Sequence, residues 1–216
     1  MQRESDGDAS GYFIALRCRL CGSYRLRMTD SSDASNSPDD EIAAGRFQCS
    51  NCDQWHDLRD LTIGFRLPDL IAALSDEEFA ERVEVNDETQ PDLCILDEEH
   101  FFIRGVLRLP IRGADFAAEF GVWSTLSEAN FELVGQRWTD PARVEMEPMF
   151  GWLMTQIPLY AEPTEGLKLN VIQQPVGKRP EILIQEGQDH RIVRAIEHGV
   201  PLDDWIALIE PRLHGG

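Results

Sequence analysis

The sequence predicts an α+β fold: a mainly antiparallel sheet with flanking helices, behind a small cysteine-bearing N-terminal unit. Three observations carry that expectation. Apolar, β-branched or alternating runs recur at residues 93–96, 101–111, 116–124, 167–173 and 181–185. Capped helix starts stand between and after them, at Ser75, Ser127 and Pro201. Two Cys-x-x-Cys pairs fall within the first 58 residues, where strand-like runs are short.

Taken in order, residues 1–10 are polar and acidic and read as a disordered lead. Residues 11–18 and 24–28 are strand candidates that turn about Cys21-Gly22-Ser23. Residues 29–41 are rich in Ser, Asp and Asn without periodicity, the composition of a flexible acidic loop, and residues 46–49 resume as a strand. The expected division is therefore a ribbon over residues 11–58 and an α+β domain over residues 59–216. In the larger unit, Ser75 and Glu78 have capping-box spacing, and Leu74 can staple to Phe79, so a helix is expected over residues 74–83. Within residues 101–111, Phe101, Ile103, Leu107 and Leu109 face one side, and Phe102, Arg104, Val106 and Arg108 the other. Ser127 caps a short helix with Glu128 in its first turn. Gln174-Pro175-Val176-Gly177 is a turn between two strands. Two helices close the chain, the first ending at Gly199, the second carrying the stripe Leu202, Trp205, Ile206 and Ile209. The acids Asp203, Asp204 and Glu210 on that last helix exclude a DNA-reading helix-turn-helix and favour a helix pair packed on a sheet. Trp123, Trp152 and Cys94 are expected in the core.

Composition bounds the function. The 216 residues carry 39 acids against 20 bases, a formal net charge of −19. A surface of that sign repels polyphosphate and weighs against broad nucleic-acid capture. With no membrane-length apolar run and no apolar leader, a cytoplasmic location is expected. All bases but Lys168 and Lys178 are arginine.

The cysteines carry the clearest chemistry. Cys18/Cys21 and Cys49/Cys52 are separated by 27 residues. Two residues between thiolates let a tight turn aim both sulfurs at one point, and two such knuckles make a tetrahedral cage, so a zinc ribbon with a structural zinc ion is expected. A redox dithiol, an iron–sulfur cluster and unmetallated thiols are the alternatives; the first needs a helix N-terminus that neither pair has in this reading. His56 lies four residues beyond Cys52, as a neighbour of the cage or a substitute ligand. Arg17, Arg19, Arg25 and Arg27 bracket the first knuckle with no acid between Tyr12 and Thr29. They either offset the thiolates and the chain's surplus carboxylates or form a nucleic-acid contact restricted to the ribbon.

Two further groups stand out. Residues 76–99 hold eleven acids and one base, Arg82, either a solvated face or a surface for a basic partner. The run Asp97-Glu98-Glu99-His100 leads into a strand bearing Arg104, so His100 and Arg104 share a strand face near carboxylates. That is the make-up of an acid/base or anion pocket, and equally of a buried ion-pair network. No phosphate loop, dinucleotide fingerprint, Gly-x-Ser-x-Gly elbow or His-Glu-x-x-His helix is present, which favours a non-enzymatic protein over an enzyme.

From Phe47 onward the chain resembles an uncharacterised bacterial domain family. The resemblance rests on Cys49-x-x-Cys52 with Trp55-His56, on the block from Leu93 through Asp97-Glu98-Glu99-His100-Phe101-Phe102-Ile103-Arg104-Gly105, on Gly121-Val122-Trp123-Ser124-Thr125-Leu126-Ser127, and on Phe150-Gly151-Trp152-Leu153. Arg179-Pro180 and Asp189-His190 are similar to its C-terminal part. Relatives of this kind have a shorter N-terminal part with one compact cysteine–histidine cluster, from which the two-knuckle arrangement departs. The resemblance implies one coherent bacterial domain and adds no chemistry. The leading expectation is an acidic, non-enzymatic binding protein with a structural zinc ribbon, engaging a basic protein partner as toxin-immunity proteins do. A ribbon-based nucleic-acid protein, and a hydrolase or transferase with a pocket near His100 and Arg104, are the alternatives.

Overall fold

The structure, a computed structural model, describes residues 45–49 and 54–213. Strands β1 (Arg46–Gln48) and β2 (Trp55–Asp57) form a two-stranded antiparallel sheet with Phe47 opposite His56. Phe47, Cys49 and Leu58 are buried in the same apolar cluster as the main sheet. That sheet has eight strands: β3 (Thr62–Gly64), β4 (Val83–Val85), β5 (Leu93–Leu96), β6 (His100–Pro110), β7 (Ala117–Leu126), β8 (Met149–Trp152), β9 (Lys168–Ile172) and β10 (Glu181–Ile184). Its path runs β3-β7-β6-β10-β9-β8, with the β4–β5 hairpin attached to β6.

The long hairpin β6–β7 is the spine, paired from Phe101↔Leu126 to Pro110↔Ala117. The alternation expected for β6 sets its register, since a one-residue slip would turn every apolar side chain outward. Ile103, Leu107 and Leu109 of β6 stand with Ala118, Phe120 and Val122 of β7 on one face, all buried. The sheet curls: a bridge between Ser124 and Leu153, and a hydrogen bond from Met154 N to Trp123 O (2.8 Å), bring the end of β8 back to β7. Gly151 permits the return, because a Cβ there would collide with Ser124 Oγ and the Thr125 carbonyl.

Five helices are described. The short α1 (Asp69–Ala72) is followed by α2 (Asp76–Arg82), α3 (Glu128–Gln136), α4 (Arg191–His198) and α5 (Leu202–Ile209). Phe131 of α3 packs on Phe101 at the start of β6, with ring centroids 5.2 Å apart. Trp205 of α5 meets Phe120 edge-on at 5.4 Å. The α4–α5 turn holds Gly199 at φ 78° against Arg112, and Val200 bridges Ile111 beyond the end of β6. Among the described residues no helix is long and apolar enough to cross a membrane.

The α+β class stands, and three expectations are corrected. The sheet is mixed and not purely antiparallel: β3 runs parallel to β7 and β10 parallel to β6, because neither is joined to its neighbour by a direct hairpin. Trp152 is 40% exposed on the outer side of β8, where its ring meets Phe150 edge-on and Lys168 lies over it. The helix expected over residues 74–83 stops at Arg82, since Val83 and Val85 pair with β5. The expected ribbon strands at residues 11–18 and 24–28, with the loop at 29–41, lie outside the described residues.

Candidate functional site

The acidic run folds into α2, β4 and β5, with Cys94 and Leu96 of β5 in the core. Ser75 Oγ accepts from Glu78 N (3.2 Å), and the Glu78 carboxylate accepts from Ser75 N (2.9 Å), so the expected capping box is formed. The bonds that the carboxylate accepts from Ser75 N and Ser75 Oγ, 2.9 Å each, hold the Glu78 carboxyl below its ordinary range. The helix buries no residue fully, and its acidic first turn complements the positive end of the helix dipole.

The turn from β5 into β6 is strained. Asp97 and Glu98 adopt φ of 54° and 55°, a left-handed conformation that costs roughly 1–3 kcal/mol for each non-glycine residue. Arg82 clamps it. Its backbone O accepts from Asp97 N (2.9 Å), and its Nε and Nη2 donate to Asp97 Oδ1 and Oδ2 at 2.8 and 2.7 Å. This bidentate bond is the first reason the Asp97 carboxyl lies below its usual range; the Coulombic fields of Arg82 and His100 add to it.

Between helix, hairpin and turn lies a cleft of about 500 Å³. Val83 and Ile95 supply its apolar surface, and Glu81, Glu84, Asp97 and Glu98 its carboxylates. Among the described residues Arg82 is the one cation lining it, committed to Asp97 and, at 3.9 Å, to Glu78. Glu81, Glu84 and Glu98 form no ion pair among the described residues and are exposed. β4 pairs only with β5 among the described residues, so the outer edge of the hairpin carries backbone groups without a strand partner. Such a cleft can take up cationic side chains and one apolar side chain together.

The sequence-derived pair His100 and Arg104 is not brought together. Both side chains belong to the same alternating set of β6, but His100 is exposed at the first position, opposite Leu96, and its field acts on Asp97. Arg104 is 6% exposed and adjoins Asp92 and Arg179 instead. Sequence reasoning did not single out Arg143 or Gln173, both buried; a buried arginine has no local pattern by which to recognise it. Cys94 is buried as expected, and burial pushes its thiol well above the ordinary range.

Of the expected zinc ligands, Cys49 is described. It is buried where β1 ends, and its N donates to O of Gln54, the residue before β2 (2.9 Å). His56 is 2% exposed with its ring 5.6 Å from Phe47. Cys18, Cys21 and Cys52, together with Arg17, Arg19, Arg25 and Arg27, lie outside the described residues. Among the described residues no group of three or more potential ligands is assembled for a metal.

A family model described as an uncharacterized protein conserved in bacteria (DUF2199) matches residues 48–200. No curated protein and no solved structure matches the chain.

Proposed function

The chain belongs to this bacterial family, and from that premise we propose that it is a non-enzymatic acidic binding protein whose α2–β4–β5 cleft engages a basic segment of a protein partner. The observation that carries the reading is the charge balance of the cleft. Among the described residues Glu81, Glu84 and Glu98 stand around Ile95 without a cation of their own, while Arg82 is held by Asp97. Three unneutralised carboxylates repel one another, and a cationic partner removes that repulsion. An acidic domain that neutralises a basic protein, in the manner of immunity proteins, is the concrete form of the proposal, drawn by analogy.

The test is titration with a short synthetic peptide rich in Lys and Arg and carrying one Leu, followed by backbone amide NMR shifts. The largest shifts should fall on residues 80–84 and 95–98. Replacing Glu81, Glu84 and Glu98 by Gln should weaken binding at least about tenfold. A charge-matched control at exposed Glu132, Glu145 and Glu186 should change it much less. Equal weakening by both triple variants would reduce the cleft to part of a diffuse acidic surface and overturn its assignment.

The second part of the proposal is a structural zinc held by Cys18, Cys21, Cys49 and Cys52. Buried Cys49 and its N–H bond to Gln54 O support it, because that bond holds together the two ends of the stretch that carries Cys52, as two ligands of one knuckle require. A closed four-cysteine cage leaves no position for substrate, so the ion serves folding. Protein purified without added metal should contain about one equivalent of zinc and lose it on Cys52→Ser substitution. Metal-free, fully folded protein would contradict the site.

A further inference from the structure

β6 changes partner halfway along its length. Its first half is antiparallel to β5, as far as Ile103 opposite Leu93; its second half is parallel to β10, from Val106 beside Glu181. At the fork, Arg104 N donates to Asp92 O (2.9 Å) and Val106 N to Pro180 O (2.8 Å). The residues just before β5 and just before β10 therefore meet over the middle of β6. Arg179 Nε donates to Asp92 Oδ1 at 2.6 Å, an ion pair whose side chains are 33% and 25% exposed.

Arg104 adjoins this pair and is itself buried. Its guanidinium occupies the space left by Gly121, where an added Cβ would stand 3.6 Å from both Nε and Nη2. Nε is buried without an acceptor, and the guanidinium forms no ion pair among the described residues. Its pKa is pushed down to about 10, first by burial and then by the field of Arg179, with Asp92 opposing. Asp92 also acts on buried Arg143, whose Nη2 donates to Gln173 Oε1. Gln173 follows Ile172, which pairs with Glu181, so it shares the face of Val171 and Ile182, on the side of the sheet opposite Arg104. Arg143 Nε and Gln173 Nε2 are likewise buried without acceptors.

The orphaned atom on the Arg104 face, its Nε, is a donor. Among the described residues, the carboxylate whose field reaches Arg104 is that of Asp92, already bonded to Arg179, and a buried guanidinium without an anion is costly. We infer that the fork is a binding site for a small oxyanion, a carboxylate or phosphate group, held by Arg104 and Arg179 in the manner of an arginine fork. Asp92 positions Arg179 and, by its own charge, limits the affinity. The site is separate from the acidic cleft, so removal of the cleft carboxylates leaves it intact.

Inorganic phosphate and acetate, each titrated against sodium chloride at matched ionic strength, test the inference in two arms. The readout is the Arg Nε–H resonances together with the unfolding temperature. At least one anion should shift the Arg104 and Arg179 resonances saturably and raise the Tm by a few degrees, as expected for a ligand that binds only the folded chain. Whichever arm responds identifies the oxyanion class. Arg104→Met and Arg179→Gln should each weaken that response at least about tenfold, and Asp92→Asn should strengthen it. The Glu81/Glu84/Glu98 variant should respond like the parent chain. If Arg104→Met fails to fold, Arg179→Gln and Asp92→Asn decide alone. No saturable shift with either anion, or a shift unchanged in Arg179→Gln, overturns the site.

Discussion

Asp69 shows how one side chain can set a pH dependence. Its Oδ2 accepts from Gln156 N at 2.6 Å, while Oδ1 is buried without a partner. Burial raises its pKa from 3.8 to about 6, with the Gln156 bond opposing and Glu165 adding a little. The folded chain therefore holds a proton that the unfolded chain releases earlier. The stability contributed by protonated Asp69 is complete below about pH 4 and is lost as pH rises through about 6. Urea midpoints measured from pH 4 to 7 should carry this downward component, and Asp69→Asn should remove it while keeping an acceptor for Gln156. An unchanged profile in the variant would contradict the assignment. Cys94 was legible in the sequence because it sits in an apolar run. Trp152 was not: it and Trp123 both follow a short apolar stretch, and only the curl of the sheet puts one inside and the other out.

Local signals determined the helices, and distant pairing determined the strands. Ser75 and Glu78 form a cap within four residues, so α2 could be read from its own sequence. Ser75→Ala should cost about 1 kcal/mol of stability. It should also speed amide exchange at Asp97, whose N–H bonds to Arg82 at the far end of the same helix. Exchange unchanged at Asp97 would show the turn to be independent of the cap. β3, β4 and β8 have three or four residues each, too few for an alternation to stand out, and they exist because longer neighbours offer edges. Parallel pairing of β3 and β10 depends on where the intervening chain crosses, which no local pattern records. At Gly151 the strand geometry admits no side chain. Gly151→Ala should destabilise by about 1–3 kcal/mol or more through overpacking against Ser124 and the Thr125 carbonyl, read as a lower denaturation midpoint. A neutral result would mean that β8 does not close onto β7.

Across the molecule, the net charge of −19 is concentrated where it can act. The acidic run forms α2, β4 and β5, where Arg82 pairs with Glu78 and Asp97, and Arg179 with Asp92. The concentration of acids was visible in the sequence; the cleft was not, because it depends on a strained turn held by Arg82 against the end of α2. His100 and Arg104 share a face of β6, as their spacing predicts, but four residues along an extended strand separate two environments, one exposed beside Asp97 and one buried beside Asp92. The most direct measurement of the central claim is the salt dependence of affinity for the basic peptide, compared between the parent chain and the Glu81/Glu84/Glu98→Gln variant. Affinity of the parent should fall steeply as sodium chloride rises, and the variant should be both weaker and much less salt-sensitive, because the screened interactions are those the variant lacks. Parallel salt profiles for the two proteins would contradict the cleft as the docking surface.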